Sequence, residues 1–211
     1  SVALLGLSSV QAIPQRNKLI PVLIVDGFSN HDWKQTTIVT KWILEQSGLF
    51  QVYTSTIPSD STERSAWLPD FNKYAVIIQN TNNIHNPALR WPLRAEQELE
   101  RYVKRGGGLY ILHSGNNAFP HWNEYDKMIG LGWRPKAVGY ALEIDQNEKI
   151  IRYSPGEGES TGHGERFNAV IQILNRCPIN NDYPPQWQTA NTEVYYFPRG
   201  PAENLTVLSF A

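Results

Sequence analysis

The chain has 211 residues, 41% hydrophobic and 18% charged, enough to bury a full core in one domain or at most two small ones. Lysine and arginine number 19 against 20 acidic residues, and the formal charge of −1 gives no electrostatic footing for nucleic acid or an anionic membrane surface. One cysteine, Cys177, excludes an intrachain disulfide framework and any multi-thiolate zinc or iron–sulfur site.

Residues 1–12 (SVALLGLSSVQA) are uncharged, apolar and end on small residues, with Val10 and Ala12 at the spacing of a signal-peptidase site. The expectation is a periplasmic or secreted protein, with residues 1–17 a leader and 18–211 the folded domain. No apolar run reaches the ~20 residues of a membrane span.

Residues 19–26 (LIPVLIVD) form a continuous apolar run, the pattern of a central strand covered on both faces. A helix is predicted over 32–47, with Ile38, Trp42 and Ile43 or Leu44 facing the core and Gly48 ending it. Strands are predicted at 50–57 and 74–79, a helix at 93–105 with Leu99, Tyr102 and Val103 on one face, and a strand at 109–113 after three glycines. This alternation predicts an α/β doubly wound, mostly parallel sheet. The second half changes character: residues 140–145 and 149–153 flank a DQNE turn as a β-hairpin insertion, a Gly-rich loop covers 154–164, and a strand follows at 167–174.

Ligands of open α/β sheets bind beyond the carboxyl ends of the strands. That rim carries His31, Asp32 and Trp33 after the first strand, Asn80 after the third, and His113, Ser114 and Asn117 after the fourth. Asparagines both donate and accept, and aromatic rings cover the apolar faces of sugars, so a small-molecule carbohydrate is the expected partner. His113 and Ser114 occupy the strand-to-helix turn where many α/β enzymes keep a nucleophile, but G-x-S-x-G is absent and Ser114 has no identifiable acid partner. His31, His113 and His163 together could hold a divalent metal such as zinc, or each could hydrogen-bond separately. Glu193 begins a short run and could return to the rim as a general acid or base.

The segments GGGLYILHSGNNAF, EYDKMIGLGWR, GEGESTGHG and TEVYYFPRGPAENLTVL together resemble the secreted branch of the ThuA-like (trehalose-utilisation) family, from about Lys18 onward. That resemblance implies a class I glutamine-amidotransferase-like, flavodoxin-type fold whose elbow carries His, here His113, in place of the amidotransferases' catalytic Cys. Glutamine hydrolysis is then not expected, because no thiolate stands there. Two positions depart from the family pattern: Cys177-Pro178-Ile179 stands for His-Pro-Ile, and Thr192-Glu193 for Asp-Glu. The family pattern also runs on past Ala211 with another strand and a Gly-His pair, so the 205–211 run is expected to be cut short. The resemblance implies sugar metabolism: isomerase, lyase or hydrolase chemistry on a keto-sugar or glycoside, with His113 and Glu193 moving protons. His31, Asp32, Trp33, Asn80, Ser114, Asn117, Arg134 and His163 would bind substrate. The alternative is a sugar-binding or scaffold module that kept the pocket and lost the chemistry.

Overall fold

The structure, a computed structural model, describes residues 18–211. The expected leader, residues 1–17, lies outside the described residues. Four strands form one parallel sheet: β1 (Ile20–Asp26), β2 (Phe50–Thr56), β3 (Val76–Gln79) and β4 (Gly108–Ile111), in the order β2-β1-β3-β4. This is the strand order of flavodoxin-like sheets, with its reversal between β1 and β3.

The apolar run of β1 is explained by its two covered faces. Leu23 and Val25 pack with Ile77, Ala95, Leu99, Tyr102 and the aromatic group Phe119, Trp122 and Tyr125. Their neighbours Val22 and Ile24 turn the other way, against Val52, Ile78 and partly buried Leu44. On the first face lies α3 (Leu93–Lys104), the helix after the short α2 (Ser61–Ala66); it buries Ala95, Leu99 and Tyr102 as its 3.6-residue period requires.

On the second face lies α1 (Trp33–Gln46), capped by the Asp32 side chain, which accepts from the Gln35 amide at 3.1 Å. Its orientation corrects the sequence expectation. Ile38, Trp42 and Ile43 are exposed, and only Thr37 is fully buried. Of the expected stripe Leu44 packs on the sheet, and a polar contact joins it: Thr37 donates to Asp26 Oδ2 at 2.7 Å and accepts from Asn80 Nδ2 at 3.0 Å.

After α4 (Asn123–Ile129) the chain turns to short antiparallel strands. The expected hairpin is present as β5 (Tyr140–Ile144) and β6 (Ile150–Tyr153). Within the Gly-rich segment β7 (Gly162–His163) forms, then β8 (Val170–Ile173) and β9 (Gln186–Gln188). Next come β10 (Tyr195–Tyr196), β11 (Arg199–Gly200) and β12 (Ser209–Phe210). β11 extends the hairpin, β12 pairs with β8, and β10 pairs antiparallel with β7. No described helix is long and apolar enough to cross a membrane.

Candidate active site

The chain bends sharply at the carboxyl ends of β1 and β4. Gly27 has φ +134°, and a Cβ there would sit 2.7 Å from the Ile57 carbonyl oxygen, so glycine is required for β1 to turn. His113 has φ +42° at the end of β4, a left-handed conformation that non-glycine residues seldom adopt. This strained strand-to-turn position lifts the imidazole above the sheet, the geometry of a nucleophile elbow with histidine at its apex.

Four loops meet around it. The rings of His31 and His113 lie 4.8 Å apart, bringing the turns after β1 and β4 together. Ser29 Oγ and Ser114 Oγ are 3.4 Å apart beneath them. Asn82 Nδ2 donates to Asn30 Oδ1 at 2.7 Å, tying in the turn after β3. The β7–β10 ladder then sets Tyr195 opposite His163. Tyr195 stands 6.5 Å from His113, 6.1 Å from His163 and 4.9 Å from Trp133, centre to centre.

Electrostatics separates the roles of these groups. Burial, with the neighbouring His31 adding to it and Glu193 opposing, holds the His113 imidazole below its ordinary pKa. It is a free base at neutral pH. Arg166 donates to Glu193 Oε1 through Nε at 3.1 Å and Nη2 at 2.9 Å, and chiefly this contact holds the Glu193 carboxyl below its usual range. A carboxylate so held is a fixed anion at neutral pH, which disfavours the proton-donating half of its expected role. Burial raises the Tyr195 phenol, against a smaller opposing contribution from the Asn117 amide, so it remains an O–H donor.

His31, His113, His163 and Glu193 gather around Tyr195 at one rim, with Ser114 and Asn117 buried next to it. Others support it from beneath. Arg134, only 1% exposed, does not face the rim. It donates twice to Asp126 Oδ1, at 2.6 and 3.0 Å, and to the carbonyls of Asn116, Trp133 and Ala118. The expected hydroxyl-binding role of Arg134 is thus replaced by that of a strut holding the elbow to α4. Asn80 is buried and donates to the Trp33 carbonyl and Thr37 Oγ1, so it anchors α1. Asp32 serves as the helix cap, and Trp33 begins α1 half-buried.

The expected zinc set is not assembled in this arrangement. Among the described residues, no group of three or more His, Cys, Asp or Glu side chains is gathered to hold a metal ion. His163 Nδ1 is bonded to the Gly164 carbonyl at 2.8 Å, and Nε2 faces Glu193 Oε2 at 3.6 Å.

Tyr195 and Trp133 were not singled out by sequence reasoning. The signal for Tyr195 was available, because Glu193 and Tyr195 share one face of an alternating run. Trp133 follows Gly132 in a loop with no periodicity to place it.

Fold and site together define a flavodoxin-like α/β protein with a histidine at the elbow. The sequence matches the ThuA family, described as trehalose utilisation, over residues 21–211, and the chain belongs to that family. A crystal structure of a ThuA-like protein from Parabacteroides merdae ATCC 43184 superposes with a TM-score of 0.82 at 28% identity, covering 91% of this chain and 68% of that one. A second, from Bacteroides uniformis ATCC 8492, shares the fold at a TM-score of 0.55 and 15% identity, covering 97% and 71%. No functionally curated protein matches the chain.

Proposed function

We propose that this is an exported carbohydrate-processing enzyme that moves protons on a keto-sugar or keto-glycoside, in isomerisation, elimination or hydrolysis. The sugar assignment follows from the family and from a rim of amides, hydroxyls and aromatic rings. Export rests on the composition of residues 1–12 alone. The observation that carries the chemistry is His113, strained at the elbow and held neutral by burial beside His31. A carbonyl acidifies the C–H bonds next to it, and a neutral imidazole is the matching base at physiological pH. Glutamine hydrolysis is disfavoured because the single cysteine, Cys177, lies in the loop between β8 and β9 rather than at the elbow.

The test compares wild type with His113→Gln on oxidised disaccharides in deuterated water, following deuterium entry beside the carbonyl by NMR. Wild type should exchange, and His113→Gln should bind but exchange roughly 10²–10⁴-fold more slowly, since the amide cannot shuttle a proton. Full activity in His113→Gln would overturn the assignment. Binding without turnover in both proteins would favour the sugar-binding module, a reading that Thr192 before Glu193 supports.

A further inference from the structure

The rim holds a base but, among the groups already assigned, lacks a donor for the carbonyl oxygen. When a proton leaves the carbon beside a ketone, the C–H pair forms a C=C bond and the C=O π pair moves onto oxygen. That oxygen becomes an enediolate and needs a hydrogen-bond donor on the side away from the base. Glu193 is an anion bound by Arg166, and His163 is engaged by Gly164 and turned toward Glu193. His31 lies against His113 itself, on the base's side. Ser114 is buried and shares its hydroxyl with Ser29, and the buried Asn117 amide is directed at the Tyr195 phenol itself.

We infer that Tyr195 is this donor: its phenol hydroxyl hydrogen-bonds the carbonyl oxygen of the keto-sugar and stabilises the enediolate formed as His113 takes the adjacent proton. The inference rests on the keto-sugar reading above. Tyr195 is the side chain whose ring neighbours His113, His163 and Trp133 together. Its place is set twice, by the β10–β7 ladder that aligns it with His163 and by an edge contact on Trp133. Its ring is part-buried, so the hydroxyl acts where water competes poorly. The proton that His113 takes returns to the same carbon, to its neighbour in an isomerisation, where the hydroxyl proton also passes from one enediolate oxygen to the other, or to the leaving oxygen in an elimination. No oxidant or reductant enters, and the Tyr195 O–H bond need not break.

The experiment is Tyr195→Phe, which keeps the ring and removes only the hydroxyl. Deuterium entry and turnover are followed on the same oxidised disaccharides, with kcat and KM measured separately. The control is Tyr196→Phe on the same strand, whose exposed side chain lies over Gly162. Tyr195→Phe should lose about 10²–10³-fold in kcat with KM little changed, as for other single oxyanion donors, while Tyr196→Phe stays at wild-type rate. Unfolding midpoints of the variants, matched to wild type, separate lost chemistry from lost structure. A Tyr195→Phe protein with wild-type kcat, or one whose loss lies wholly in KM, would overturn the inference and leave the keto-sugar reading standing. A wild type inert on every oxidised sugar would overturn that reading and this one with it.

Discussion

Removing the hydroxyl of Tyr125 should unfasten the floor of the elbow. The Tyr125 ring is fully buried in α4, with Trp122 stacked 5.3 Å away and Phe119 meeting it edge-on at 5.2 Å. Its hydroxyl donates to the Gly115 carbonyl at 2.7 Å and accepts from Gln79 Nε2 at 2.8 Å. Gly115 lies two residues past His113, and Gln79 ends β3, so one oxygen joins two strand ends beneath the site. Burial pushes the phenol far above its ordinary pKa, and it stays a donor. Tyr125→Phe keeps the ring contacts, leaves Gln79 Nε2 without its acceptor, and leaves the Gly115 carbonyl with only the Ala118 N–H at 3.2 Å. The orphaned amide costs about 1–3 kcal/mol and the bond lost at the carbonyl about 0.5–1.5 kcal/mol, so the variant should lose about 2–4 kcal/mol. For a domain of this size each kcal/mol lowers Tm by about 2–4 °C, which gives a fall of about 4–16 °C. Thermal and urea unfolding of the two proteins read this directly, with the urea m-value unchanged. A Tm within about 1 °C of wild type would refute the reasoning, since the Gln79 amide would then have found another partner.

Two further outcomes follow from the geometry. The lowered His113 pKa means that, below the ordinary value of 6.5, the folded protein binds fewer protons on this ring than the unfolded chain does. Its contribution to stability is therefore complete above 6.5 and lost as pH falls toward the folded value. The acid limb of kcat/KM should accordingly lie below 6.5 in a pH–rate profile, and a limb above 6.5 would contradict a neutral His113 base. Gly27→Ala places a methyl against the Ile57 backbone at a φ that alanine avoids, and should destabilise by about 2–4 kcal/mol in urea unfolding. A loss under about 0.5 kcal/mol would show that β1 turns without strain.

The parallel sheet was legible because β1 is apolar on both faces and each later strand ends on a polar turn. The same logic found His31 and His113, which follow strands flanking β3, and their meeting needs only the strand order. The face of α1 was not legible. Its apolar residues advertise a core stripe, yet Thr37 faces the sheet because Asp26 and Asn80 supply hydrogen-bond partners there. The role of Arg134 was not legible either: nothing in the run Gly130–Lys136 announces the three carbonyls and Asp126 that enclose its guanidinium. Partners for His163 could not be read at all. They depend on a ladder of two residues per strand, too short to leave a pattern in sequence.

That short ladder has a consequence for how the site comes apart. His31 and His113 stand on a sheet whose inner strands pair along both edges, whereas His163 and Tyr195 meet through two pairs of residues and a few ring contacts. Amides of β7 and β10 belong to the low end of the spectrum of opening free energies, and those of β1 and β3 to the high end. A sub-global opening of the second half would separate His163, Glu193 and Tyr195 from His113 while leaving the parallel sheet intact. The two halves of the rim thus belong to different cooperative units. Ligand bridging them would protect β7 and β10 from exchange far more than it protects the core.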